Sequence, residues 1–102
     1  MSKTTSVTVT IQNPQGLHMR PAYLFAETAS KFESRVELSK DDVLADGKSV
    51  LDILTLGAAQ GTAILLTAEG EDADEAVKVL EQLVAAGFPA PEKPDTASGA
   101  QA

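Results

Sequence analysis

The chain has 102 residues, and its 15 acidic residues against 8 Lys and Arg give a formal net charge of −7, which disfavours nucleic acid and anionic membranes as partners. It has no Cys and one His, so disulfides, thiol catalysis and thiolate metal sites are excluded, and a zinc site is not expected. No apolar run approaches the ~20 residues of a membrane span and the N-terminus lacks a signal-peptide pattern, so we expect a cytoplasmic domain.

The N-terminal third predicts a strand followed by a helix. Valine or isoleucine alternates with threonine over residues 6–11, and this period of two indicates a half-buried strand. The sequence Asn-Pro-Gln-Gly at 13–16 predicts a turn. Over residues 19–32 apolar residues recur at helical spacing, and Pro21 suits the first turn because its missing N–H costs nothing there.

The middle of the chain predicts a hairpin and a short helix. Residues 35–39 alternate in polarity, and residues 43–45 follow as a short return strand after a polar connection. Ser49 then predicts the N-cap of a helix over residues 50–56, because a serine side chain accepts a hydrogen bond from the first helical turn.

The last third predicts a strand, a helix and a tail. Residues 62–69 form an apolar run between glycines, and Asp72 with Glu75 resembles a capping box before the final helix. Residues 89–102 hold three of the five prolines and no Val, Ile, Leu or Phe, so we predict a domain over 1–88 and a disordered tail over 89–102. The order β-α-β-β-α-β-α predicts an α+β fold, a four-stranded antiparallel sheet with three helices on one face.

The single histidine stands where a phosphoryl group would be well held. His18 lies between the predicted turn and the first helix, in the segment G-L-H-M-R-P-A. The free N–H groups and the dipole of a helix N-terminus favour an anion there. Arg20 adds a guanidinium that can bind two phosphate oxygens. By position alone, however, a lone histidine next to an arginine is more often an ordinary exposed pair.

The segment at 16–22 closely resembles the active-site signature of HPr, the histidine-containing phosphocarrier family of the phosphoenolpyruvate-dependent sugar phosphotransferase system. A second stretch, G-K-S-V-L-D-I-L-T-L-G at 47–57, resembles that family's regulatory-serine signature. Both lie in the family's order and spacing, and the resemblance extends over residues 4–88. It implies the HPr open-faced β-sandwich and a phosphoryl carrier that is itself phosphorylated, without enzymatic turnover. It also implies a monomer with no cofactor and no metal.

The resemblance assigns roles to individual positions. His18 would accept the phosphoryl group from enzyme I and pass it to the IIA domain of a sugar transporter, while Arg20 would steady that group. Ser49 would be the target of an HPr kinase/phosphorylase where that enzyme exists. An alternative is a regulatory module acting mainly through Ser49, although relatives that abandon transfer tend to lose the histidine. A second alternative is an unrelated α+β ligand-binding or assembly domain.

Three further residues are candidates for partner docking by the same resemblance. Leu51 and Leu54 lie three apart on the second helix, where the family exposes an apolar patch, although local spacing suits a buried core equally well. Met19 follows the histidine where the family usually has a smaller residue. The chain also departs from enteric relatives, which are basic in this region, by placing Glu27 and Asp52 on the presumed docking helices.

Overall fold

The computed structural model describes residues 3–89, and over that range the elements follow the predicted order. The strands and helices are β1 (Lys3–Thr10), α1 (Met19–Ala29), β2 (Arg35–Lys40), β3 (Val43–Asp46), α2 (Val50–Thr55), β4 (Ala63–Gly70) and α3 (Ala73–Ala85). The predicted disordered tail, apart from Pro89, lies outside the described residues. No helix within residues 3–89 is long and apolar enough to cross a membrane.

The four strands form one antiparallel sheet in the order β1-β4-β2-β3. The predicted fold class is therefore confirmed. The first and last strands of the sequence are neighbours in this sheet: β1 forms one edge and pairs with β4, so that Val7 lies opposite Leu66. Because strand side chains alternate between the two faces of a sheet, β1, β2 and β4 each turn one set of side chains towards the helices and the other set towards solvent.

The core between the sheet and the helices is mainly aliphatic. Its fully buried side chains include Leu38, Ile53, Ile64, Leu66 and Leu80. Phe25 of α1 and Phe88, just beyond α3, are the largest side chains in it. This composition follows from an aromatic content of only 4%.

Two predicted boundaries are wrong by a few residues. β1 begins at Lys3, three residues before the predicted start, and continues the pairing with β4 to Gly70. α1 ends at Ala29 and does not reach Phe32, because the N–H groups of Lys31 and Phe32 bond to carbonyls only three residues back. The chain leaves α1 through this tighter turn, which still packs Phe32 against the core.

The predicted capping box at α3 is also wrong. Asp72 is the N-cap residue, but its carboxylate does not bond to its own helix. It accepts hydrogen bonds from the backbone N–H groups of Glu33 and Ser34, both at 2.9 Å, and from the Ser34 hydroxyl. The Ser34 hydroxyl, chiefly, and the Glu33 N–H lower the pKa of Asp72. Asp72 thus links the loop before α3 to the loop after α1.

Candidate functional site

A tight loop sets the position of His18. The N–H of Gly16 donates to the carbonyl of Asn13 at 3.0 Å, and the N–H of Leu17 donates to the carbonyl of Ala58 at 2.9 Å. Gly16 has φ +73°, in the left-handed region, and a Cβ there would overlap the Ala58 carbonyl oxygen. A glycine is therefore required at this position of the motif, and the loop is fixed against the segment that follows α2.

His18 is the N-cap residue of α1, and its ring makes no hydrogen bond to any of residues 3–89. Its extended backbone lets its carbonyl accept from the N–H of Ala22 at 3.0 Å, while its side chain makes no capping bond. The N–H of Ala22 is the first to bond within the helix. The N–H groups of Met19 and Arg20 therefore have no intrahelical acceptor, and Pro21 has no N–H. His18 is half-buried and lies between the turn and the first helix, the position in the chain that the sequence predicts.

An open cavity of about 310 Å³ brings His18 and Arg20 together, and the loop residues Asn13, Pro14 and Gln15 complete its lining. The amide nitrogen of Asn13 donates to the carbonyl of Gly16, which fixes the plane of the amide. Its Oδ1 atom is buried and has no hydrogen-bond partner among the described residues. Sequence analysis did not single out Asn13, since its role in the turn resembles that of many loop asparagines.

The guanidinium of Arg20 is held by a residue that is close in space but far along the chain. Its Nη2 atom donates to the carbonyl oxygen of Phe88 at 2.8 Å. Phe88 itself is fixed by a C-terminal cap on α3, in which the N–H of Gly87 bonds to Val84 and the N–H of Phe88 to Leu83. This contact was missed at the sequence level. An apolar residue directly after a helix-ending glycine is the signal that indicates such a cap.

Ser49 is confirmed as the N-cap of α2. Its Oγ atom accepts a hydrogen bond from the N–H of Asp52 at 3.2 Å. The Asp52 carboxylate in turn accepts from the N–H of Asp46 at 3.2 Å, and the Asp46 carboxylate accepts from the N–H of Lys48 at 2.9 Å. The hydroxyl is half-buried, lies among two carboxylates, and is not part of the cavity lining at His18. Its helix packs directly against α1.

The three proposed docking residues differ in exposure. Met19 and Leu51 are 58% and 73% exposed, so both side chains are accessible to a partner. Leu54 is half-buried and packs against the core, so the core interpretation is correct for much of that side chain. Tyr23, one turn after Met19 on α1, is 53% exposed and was not singled out by its sequence context.

Comparison with known proteins gives the family. The family model described as PTS HPr component phosphorylation site matches residues 5–86. The phosphocarrier protein HPr of Neisseria meningitidis serogroup A is 41% identical over 76 residues, which are 74% of this chain and 85% of that protein.

Two solved structures have the same fold. HPr-C-His from Thermoanaerobacter tengcongensis superposes with a TM-score of 0.80 at 45% identity, covering 82% of this chain and 94% of that one. The catabolite repression protein Crh of Bacillus subtilis superposes with a TM-score of 0.65 at 38% identity, covering 76% and 90%. The chain belongs to the HPr family of phosphocarrier proteins.

Proposed function

We propose that His18 carries the phosphoryl group between enzyme I and the IIA domain of a sugar transporter. A lone pair on one ring nitrogen attacks phosphorus, the bond from phosphorus to the donor group of enzyme I breaks, and that electron pair stays with the donor. A nucleophile of the IIA domain then attacks phosphorus, the new bond between phosphorus and the His18 nitrogen breaks, and its electron pair returns to the imidazole. The chain is chemically unchanged after each cycle, so it acts as a carrier.

One observation supports this proposal most directly: the free imidazole of His18 shares an open cavity with Arg20 at the start of a helix. The N–H groups of Met19 and Arg20 and the positive end of α1 favour the phosphoryl oxygens. Arg20 is exposed and already held at one nitrogen by Phe88, so its other guanidinium N–H groups remain for the phosphate. Phosphoryl transfer depends mainly on this kind of positioning and charge stabilisation.

Phosphorylation of Ser49 is the proposed regulatory step. The phosphate would lie at the start of α2, where the Asp52 N–H that now bonds to the hydroxyl can bond to a phosphate oxygen. The Asp46 and Asp52 carboxylates would repel it, so any gain in helix stability is small. A phosphate would also add a bulky, strongly hydrated group beside the exposed Leu51, and enzyme I would have to desolvate it or dock around it, which would weaken docking.

The second candidate is a regulatory protein that works through Ser49 with little or no transfer. The likeness to Crh, described as a catabolite repression protein, favours it. The presence of both His18 and Arg20 favours the carrier, because a purely regulatory protein has no need of a histidine and a guanidinium in one cavity.

Intact mass after incubation with phosphoenolpyruvate and enzyme I tests the proposal. We expect the wild type to gain one phosphoryl group that acid removes, and His18→Ala to gain none while keeping its circular dichroism spectrum. A gain that persists in His18→Ala would contradict the assignment. A gain that appears only with ATP and an HPr kinase, resists acid and disappears in Ser49→Ala would favour the regulatory alternative.

A further inference from the structure

An exposed apolar strip runs away from His18 along α1. Met19, Tyr23 and Glu27 lie at positions i, i+4 and i+8, so they form one line on the helix surface. The Tyr23 hydroxyl donates to the Glu27 carboxylate at 3.4 Å, which places that carboxylate at the end of the strip. Leu51 projects from the neighbouring helix α2, and Asp52 follows it directly.

The charged residues within these two helices are mainly acidic. α1 and α2 contain three charged residues, Arg20, Glu27 and Asp52. The only cation among them is turned towards the Phe88 carbonyl at the cavity. Lys48, just before α2, donates its Nζ to the carbonyl of Phe32 at 2.8 Å.

Neither exposed carboxylate has an ion-pair partner among residues 3–89, although Arg35 and Lys48 line the same cavity as Asp52. The one ion pair formed within residues 3–89 joins Lys3 to Asp74 and does not involve Glu27 or Asp52. A partner that covers the strip must also cover or flank these carboxylates, because a protein interface of ordinary size spans about 800 Å² on each side. Burying an unpaired carboxylate costs several kcal/mol unless the partner supplies an opposite charge.

We infer that the surface formed by Met19, Tyr23, Leu51, Glu27 and Asp52 docks a protein whose contact face is apolar at its centre and carries Lys or Arg opposite the two carboxylates. This inference rests on the proposed carrier function and specifies the partner: the enzyme I that phosphorylates His18 presents basic groups here. The apolar residues supply contact area, and the carboxylates select the partner and accelerate its approach.

The test compares two double variants with the same change in net charge. Glu27→Lys with Asp52→Lys reverses the carboxylates beside the strip. Glu71→Lys with Glu75→Lys reverses two exposed carboxylates at the start of α3. These residues flank Asp72, which binds the loop after α1, so they lie near the end of α1 that is farther from His18. The measured quantity is kcat/KM for phosphorylation of His18 by the enzyme I encoded in the same genome. Circular dichroism checks that both variants fold.

We expect the first variant to lose about tenfold or more in kcat/KM at ~0.01 M salt and the second to stay near the wild-type value. At ~1 M salt, where the screening length falls from about 30 Å to about 3 Å, the wild type should slow and the difference between wild type and the first variant should shrink. Equal losses in both variants, or a rate at or above wild type in the first, would overturn the inference alone. A wild type that is never labelled at His18 would overturn the proposed function and this inference together.

Discussion

Substitution of Gly16 by alanine should destabilise the domain through two separate effects. The residue would have to keep φ +73°, which costs an L-amino acid about 1–2 kcal/mol. Its Cβ would also overlap the Ala58 carbonyl oxygen, the acceptor of the Leu17 N–H at 2.9 Å, and losing that hydrogen bond costs about 1 kcal/mol. We expect a total of about 2–3 kcal/mol, or a fall in Tm of roughly 10 °C for a domain of this size.

Gly57→Ala is the matched control. Gly57 also has a left-handed backbone, with φ +58°, but a Cβ there would meet nothing within 4 Å. Gly57→Ala should therefore lower the free energy of unfolding only through the strained backbone, by about 1–2 kcal/mol. Urea unfolding of both variants measures the difference, and the rate of His18 phosphorylation should fall more for Gly16→Ala because the same loop positions the imidazole. Equal losses of stability in the two variants would refute the reasoning about the Ala58 contact.

Four other outcomes are expected. Phe88→Ala should lower the free energy of unfolding by about 3–5 kcal/mol, measured by urea unfolding, because the side chain is fully buried; a loss below about 1 kcal/mol would contradict its place in the core. Deleting residues 90–102 should change stability by less than ~0.5 kcal/mol in the same assay, since the segment has no large apolar side chain; a fall of several degrees in Tm would contradict this. Arg20→Lys should slow phosphorylation of His18 at least about tenfold with little change in Tm, because an ammonium cannot reproduce the guanidinium fork; an unchanged rate would exclude that role. Because folding lowers the pKa of Asp72, its carboxylate stabilises the fold above the ordinary pKa of 3.8, and this contribution is lost as the pH falls through the pKa in the folded state. The difference in Tm between wild type and Asp72→Asn should therefore shrink on acidification from pH 7. A difference that stays constant with pH would contradict this role of the Asp72 carboxylate.

The helices and strands were predictable because they depend on local patterns. Alternation of threonine with valine along β1 and the three-to-four spacing in α1 each identify a buried face without knowledge of the rest of the chain. His18 is different: its position alone favours an ordinary exposed histidine, and the resemblance of residues 16–22 to the HPr signature makes it the candidate phosphoryl acceptor.

The contacts that complete the site were not predictable, because they join residues far apart in the chain. The Arg20 guanidinium meets a carbonyl 68 positions later, and Asp72 meets Ser34 38 positions earlier. Asp72 shows why the local signal failed: the spacing to Glu75 is that of a capping box, but three donors in another loop compete for the same carboxylate. Likewise, Leu51 is exposed and Leu54 is half-buried because of the way in which α2 is rotated over the core.

The hydrogen bond between Arg20 and Phe88 has a consequence for the order in which a ribosome makes the domain. His18 emerges before the segments that complete its surroundings, because β1 must wait for β4 as its pairing strand and Arg20 must wait for the turn after α3. Contacts between such distant segments form late in folding. A nascent chain, or a fragment that includes Ala22 but ends before Phe88, therefore displays the complete G-L-H-M-R-P-A motif without the carbonyl that holds its arginine.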